Sequence, residues 1–243
     1  MYLYGKNSIL ERLKANPKSI RKIFLQHNFN APHITALIDS KNIPVEHMTE
    51  KGLTKIKRAD RLQGIVAEVD GFQYAGFEDL LKRPQDKKVS FIFLDNINDP
   101  HNLGSVIRIA ACFGDFAIVI PEHRSCQVTD AVMHVASGGE NFTPVSLVTN
   151  TSAALMKAKK AGYWVVGAVV EKGGDINKAK LPFPICLVLG SEGKGIRHGV
   201  DKTLDLRVTL PMRGAALSFN VAMACAIFCH EIDRQRPERV IDQ

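Results

Sequence analysis

Phe91-Ile-Phe-Leu-Asp-Asn-Ile-Asn-Asp-Pro100-His-Asn-Leu-Gly-Ser-Val-Ile-Arg108 changes character twice over a short distance. It opens as a continuous apolar run, passes through a polar turn at Asn98-Asp99-Pro100, and settles into apolar residues at helical spacing from Leu103. The same alternation recurs downstream. Apolar runs at 117–120, 164–170 and 185–189 read as strands, and the periods at 103–113, 128–136 and 152–161 read as helices. Continuous apolar strands alternating with helices mark a parallel sheet covered on both faces, so the fold class is α/β. A last strand at 206–210 leads into a long helix from about Ser218 to Arg234.

Upstream of this region the pattern is smaller in scale. The first 70 residues read as a compact α/β unit, with a helix from Lys6 or Asn7, a strand at 22–25, a helix at 33–40 and an alternating strand at 64–69. Residues 71–88 turn polar and aromatic and read as a linker with one short helix at 77–81. The chain therefore divides into 1–70, a linker 71–88, and 89–243.

Composition sets the outer limits. The 243 residues are 45% hydrophobic and 23% charged, which excludes collagen-like, coiled-coil and disordered classes. No apolar run approaches the roughly 18–20 residues of a membrane span, and the start lacks a signal peptide's apolar stretch, so a cytoplasmic protein with no membrane association is expected. The net charge of +7 suits a polyanionic partner such as RNA, or simple solubility. Five cysteines with no Cys-x-x-Cys argue against a disulfide framework, and no metal-ligand spacing is present, so no metal is expected. Cys225 and Cys229, four apart in an apolar helical run, are expected to be buried free thiols.

Open α/β sheets bind ligands beyond the carboxyl ends of their strands, and three loops there are unusual. In the first, Asn102 is placed to cap a helix beginning at Leu103, with Arg108 about one and a half turns further in. The two are candidates to converge on one anionic or hydroxyl-bearing group. His101 lies in the same loop. The second is Gly190-Ser191-Glu192-Gly193-Lys194-Gly195, which is neither a P-loop nor a G-x-G-x-x-G fingerprint. Its glycines let backbone approach a ligand, and Glu192 suits a cofactor with positive charge or ribose hydroxyls better than a phosphate. The third runs from Leu210-Pro211-Met212-Arg213-Gly214 to Leu217-Ser218-Phe219-Asn220-Val221, where Ser218 or Asn220 opens the last helix. Each loop alone is also consistent with plain capping and turn chemistry.

Together and in this order, Asn-Asp-Pro-x-Asn-x-Gly-x-x-x-Arg, Leu-Gly-x-Glu-Gly-x-Gly and Pro-Met-x-Gly-x-x-x-Ser-x-Asn-Val resemble the SpoU (TrmH-type) branch of the SPOUT RNA methyltransferases. The match covers roughly residues 89–234. Tyr4-Gly5-Lys6-Asn7-Ser8-Ile9-Leu10-Glu11, followed by Gln63-Gly64-Ile65-Val66-Ala67, resembles the small RNA-binding domain that precedes some members. The resemblance implies a parallel-sheet fold with a C-terminal trefoil knot. It implies S-adenosylmethionine as cofactor, and methyl transfer to a ribose 2′-hydroxyl of RNA, with a guanosine of large-subunit (23S) ribosomal RNA favoured over tRNA. It also implies a homodimer whose site is completed by the second subunit. Carried over by motif, Arg108, Asn102, Glu192, Ser218 and Asn220 form the catalytic group, and Leu189, Gly190, Leu210 and Phe219 meet the cofactor. Arg213, Leu217 and Phe219 depart from the common family residues, while every polar motif residue is kept.

Three other readings compete. A tRNA ribose methyltransferase shares the chemistry. A non-catalytic RNA-binding protein on the same scaffold would be marked by loss of Arg108, Asn220 or the glycine loop, and all are present. A nucleotide-dependent dehydrogenase needs a glycine fingerprint after an early strand, where this chain has Asp95-Asn-Ile-Asn-Asp-Pro100.

Overall fold

The computed structural model describes residues 1–59, 61–84, 87–191, 193–215 and 217–237. Two sheets organise them. The larger is built on β5 (Ser90–Asp95), β6 (Phe116–Pro121), β7 (Val145–Val148), β8 (Trp164–Ala168), β9 (Gly174–Asp175), β10 (Ile185–Gly190) and β11 (Leu206–Thr209). Its order is β7-β6-β5-β10-β8-β11-β9, and every pairing is parallel. All six residues of β5 are buried, as are the first five of β10, which is why both read as unbroken apolar runs. Burying each of Phe91, Ile92, Phe93 and Leu94 contributes about 1.5–3 kcal/mol before entropy is counted. The parallel register fixes the geometry of the site. β5, β10 and β11 deliver their carboxyl ends, and the three unusual loops, to one edge.

Helices α5 (Pro100–Phe113), α6 (Asp130–Ala136), α7 (Thr151–Lys160), α8 (His198–Asp201) and α9 (Val221–Gln235) flank this sheet. Side-chain caps set their starts: Thr129 accepts from Val132 N, Asn150 from Ala153 N, and Asn220 from Ala222 N. One expectation needs correction. The helix after β5 is capped by Asp99, whose Oδ1 accepts from His101 N at 2.9 Å, and begins at Pro100. Proline is pre-organised for the first helical position, so the helix starts earlier than the Asn102 reading allowed. Asn102 therefore lies inside the first turn, and Arg108 more than two turns along. Gly104 in this helix allows the close approach of α6, because a Cβ there would fall 2.6 Å from Val135 Cβ and 2.7 Å from the Val132 carbonyl oxygen.

The smaller sheet combines β1 (Tyr2–Tyr4), β2 (Ile20–Gln26), β3 (Val45–Met48) and β4 (Ile65–Val69) in the order β1-β4-β2-β3. β4 runs antiparallel to β1 and β2, and β3 runs parallel to β2. α1 (Lys6–Ala15), α2 (Pro32–Ser40) and α3 (Glu50–Ile56) complete it. The strands β1, β3, β7 and β9 and the helix α3 were not read from the sequence.

The two sheets are joined by a polar seam over an apolar core that contains residues from both, among them Leu3, Ile9, Ile107 and Met133. Tyr4 stacks on His134 with ring centroids 4.1 Å apart, and Lys57 pairs with Asp130 at 2.6 Å. Arg12 reaches Glu140 at 3.2 Å, both side chains being buried. The stretch read as a linker lies against the large sheet. Ala75 N donates to the Val145 carbonyl, Tyr74 Oη accepts from Val128 N, and the helix α4 (Phe77–Leu81) sets Phe77 edge-on to Phe91 and Phe93. Among the described residues no helix is long and apolar enough to cross a membrane.

Candidate active site

Asn102 and Asn220 are brought together. Asn220 Nδ2 donates to Asn102 Oδ1 at 2.9 Å, and Asn220 Oδ1 caps α9 through Ala222 N, also at 2.9 Å. Asn102 is buried at 8% exposure, so its amide is held rather than solvated. The pair ties the first loop to the third, consistent with the packing of α5 against α9. Ser218 and Phe219 lie just ahead of Asn220 and are exposed, as is Leu217. Leu210, at the end of β11, is half-buried.

The second loop leaves β10 at Gly190, beside Asp95 in the parallel register. It closes on itself: Gly195 N donates to the Ser191 carbonyl at 2.8 Å, and Ser191 N donates back to the Gly195 carbonyl at 3.2 Å. A Cβ on Gly190 would lie 2.1 Å from the Gly195 carbonyl carbon, so only glycine fits where the loop folds back. Leu189 is buried beneath it. Glu192 lies outside the described residues.

Arg108 is not gathered to the asparagine pair within one chain. Six residues beyond Asn102 on one helix is a rise of about 9 Å and a turn of about 120° away. Arg108 is exposed and makes no hydrogen bond or ion pair among the described residues. His101 is exposed at the mouth of the same helix.

Two residues at this edge were missed. Asp95 is fully buried at the carboxyl end of β5 and accepts three hydrogen bonds from Arg197, which follows the glycine loop. These bonds hold the guanidinium charged, above its ordinary range. The one sequence signal was an acidic residue closing an otherwise apolar strand. Cys225 and Cys229 are buried free thiols in α9 with sulfurs 3.7 Å apart. Among the described residues no three His, Cys, Asp or Glu side chains cluster as a metal site requires.

The family described as SpoU rRNA Methylase matches residues 90–230, and the one described as RNA 2′-O ribose methyltransferase substrate binding matches residues 2–75. The chain belongs to the SpoU rRNA methylase family. This SpoU methylase is 33% identical over 242 residues to the 23S rRNA (guanosine-2′-O-)-methyltransferase RlmB of Nitrosomonas europaea, covering 98% of this chain and 93% of the relative. It is 34% identical over 240 residues to the RlmB of Coxiella burnetii, covering 96% and 95%. Its fold is that of the SpoU methyltransferase AviRb from Streptomyces viridochromogenes, with a TM-score of 0.80 and 19% identity over 97% of this chain and 90% of that one. The resemblance carried by the three loops thus extends along the whole SpoU chain, small sheet included.

Proposed function

We propose that this chain transfers a methyl group from S-adenosylmethionine to the ribose 2′-hydroxyl of a guanosine in 23S ribosomal RNA. The observation that carries the reading is the Asn220–Asn102 hydrogen bond, which ties the first motif loop to the third at the carboxyl edge of the parallel sheet. Relatives named as 23S rRNA guanosine 2′-O-methyltransferases match nearly the whole chain, and this supports ribosomal RNA over tRNA.

The donor set suits the cofactor. Leu210 and Phe219 offer apolar surface to adenine, while the backbone at Leu189, Gly190, Leu210 and Phe219 offers donors and acceptors. When bound, S-adenosylmethionine supplies the electrophilic methyl group. The chain's own residues meet the other half of the problem, which is a 2′-hydroxyl of very weak acidity. A guanidinium keeps its proton at neutral pH, so Arg108 acts as a cation. It binds the neighbouring phosphate and stabilises the alkoxide as it develops, and the hydroxyl proton leaves to phosphate or water. Asn220 caps the last helix and holds the Asn102 side chain in the first turn of α5, and Ser218 and Glu192 complete the catalytic group. Most of the acceleration is positioning.

The chain acts as a homodimer. Leu217, Phe219, Met223 and Ile227 expose apolar side chains along the third loop and the outer face of α9, Met223 and Ile227 being one helical turn apart. A second copy covering that face also answers the separation of Arg108 from the asparagine pair. The trefoil knot is supported by the sheet order, in which the late strand β10 lies between β5 and β8. Residues 1–70 serve as the RNA-binding unit, 71–88 as its connection and 89–243 as the methyltransferase, in the cytoplasm. Incubation with methyl-labelled S-adenosylmethionine and unmodified rRNA or tRNA tests the reading. Alkali-resistant label in 23S rRNA is expected. Label in tRNA alone would overturn the substrate, and no label in either RNA would overturn the enzyme.

A further inference from the structure

We propose that Asp95 and Arg197 form a clamp that holds the 190–195 loop in its cofactor-binding shape, making both of them positioning residues for methyl transfer. The inference rests on the functional reading above and names residues outside the family motifs that carried it.

The geometry is that of a loop tied at both ends to one residue. Its entry, Gly190, is the register partner of Asp95 across the β5–β10 ladder. Its exit, Arg197, returns to the Asp95 carboxylate: Arg197 N donates to Oδ2 at 2.9 Å, Nε to Oδ1 at 2.8 Å, and a terminal guanidinium nitrogen to Oδ1 at 2.6 Å. The same terminal nitrogen reaches Thr151 Oγ1 at 3.4 Å, at the start of α7. Between these ties the loop is crossed by the Ser191–Gly195 pair and packed onto Gly190.

A carboxylate with no exposed surface is costly to keep charged unless it is fully hydrogen-bonded, and Arg197 supplies the bonds that satisfy it. A loop ordered in advance leaves less conformational freedom to lose when a ligand binds. The clamp therefore acts on cofactor affinity rather than on the chemical step. Neither side chain need touch the cofactor for this to hold.

Calorimetric titration of the full-length protein with S-adenosylmethionine, alongside steady-state kinetics on rRNA, tests the clamp. Arg197→Gln is expected to weaken cofactor binding and raise its KM by about ten- to a hundredfold, the range spanned by a charge-assisted hydrogen bond. Turnover at saturating cofactor and RNA affinity should stay near wild type, while the thermal midpoint falls because the buried Asp95 carboxylate loses its guanidinium partner. Arg197→Lys restores a charged donor and should fall between the two. Asp95→Asn combined with Arg197→Gln should be no worse than the more damaging single change, since the residues act as one unit. Asp95 is buried and its variant is prone to misfold, but the Arg197 side chain is 46% exposed, so Arg197→Gln alone decides the matter. Wild-type cofactor affinity in Arg197→Gln, or a loss confined to turnover, would overturn the clamp and leave the function standing. Failure of the wild-type protein to bind S-adenosylmethionine would overturn both.

Discussion

Asn220 is separated from Asn102 by 118 positions, yet its side-chain amide donates to the Asn102 oxygen at 2.9 Å while its own oxygen caps the last helix. One side chain thus does two jobs, and its removal takes both away. Asn220→Ala is expected to lower stability by about 1–2 kcal/mol, a lost N-cap together with one lost hydrogen bond to Asn102. Urea unfolding followed by circular dichroism measures it. A midpoint within error of wild type would show that the helix start is held by something else.

Arg108 provides the sharpest test of mechanism. Arg108→Ala should reduce turnover on rRNA by about two orders of magnitude or more, the scale of losing one charge-stabilising donor, while S-adenosylmethionine affinity is unchanged. Arg108→Lys keeps the charge but not the planar fork, so it should recover little. Near-wild-type turnover in the lysine variant would remove bidentate recognition from the mechanism.

The exposed apolar face of α9 leads to a prediction about assembly. Met223 is 62% exposed and Ile227 40%, so replacing both with glutamate should cost little in the isolated fold while blocking a partner from that face. Sedimentation velocity should then show monomers where the wild type shows dimers, and methylation should fall with the dimer. A variant that remains dimeric would place the interface elsewhere.

Glu140 ties the pH dependence of stability to the seam between the sheets. Burial, opposed by the Arg12 guanidinium, raises its carboxyl above the ordinary range. The folded chain therefore holds this proton more tightly than the unfolded chain. The stability it contributes is full below the ordinary carboxyl range and is lost as pH rises toward the raised folded value. Glu140→Gln cannot titrate. The stability difference, wild type minus variant, should therefore shrink as pH rises from about 4 upward, measured as urea midpoints across that window. A flat difference would show that Glu140 does not titrate there.

What the sequence disclosed follows from where each segment sits. β5, β6, β8 and β10 lie inside the sheet and carry unbroken apolar residues, so they announced themselves. β3 is an edge strand with Val45, Glu46 and His47 exposed, and β9 has only two residues, so neither carries a pattern to read. Val145-Ser-Leu-Val148 is too short to separate from a loop by period alone. Asn102 looked like a cap because it precedes an apolar period, but Pro100 had already set the helix start and passed the cap to Asp99. The Asp95–Arg197 contact spans 102 positions with no local periodicity to mark it, and only the folded chain reveals the pairing.

The place of β10 carries a consequence for how the chain is made. β5 and β8 each pair with β10 and are separated by it in the sheet, although β10 follows both in the sequence. As the polypeptide emerges from the ribosome, β5, β6 and β7 are able to zip together, leaving β5 with a bare apolar edge. β8 waits with no sheet to join until residue 190 has been synthesised. Such long-range closure is slow and exposes strand edges to other nascent chains. A stalled translation product ending before β10 would consequently be a sticky half-sheet, and the cell gains a foldable methyltransferase only once synthesis has passed residue 190.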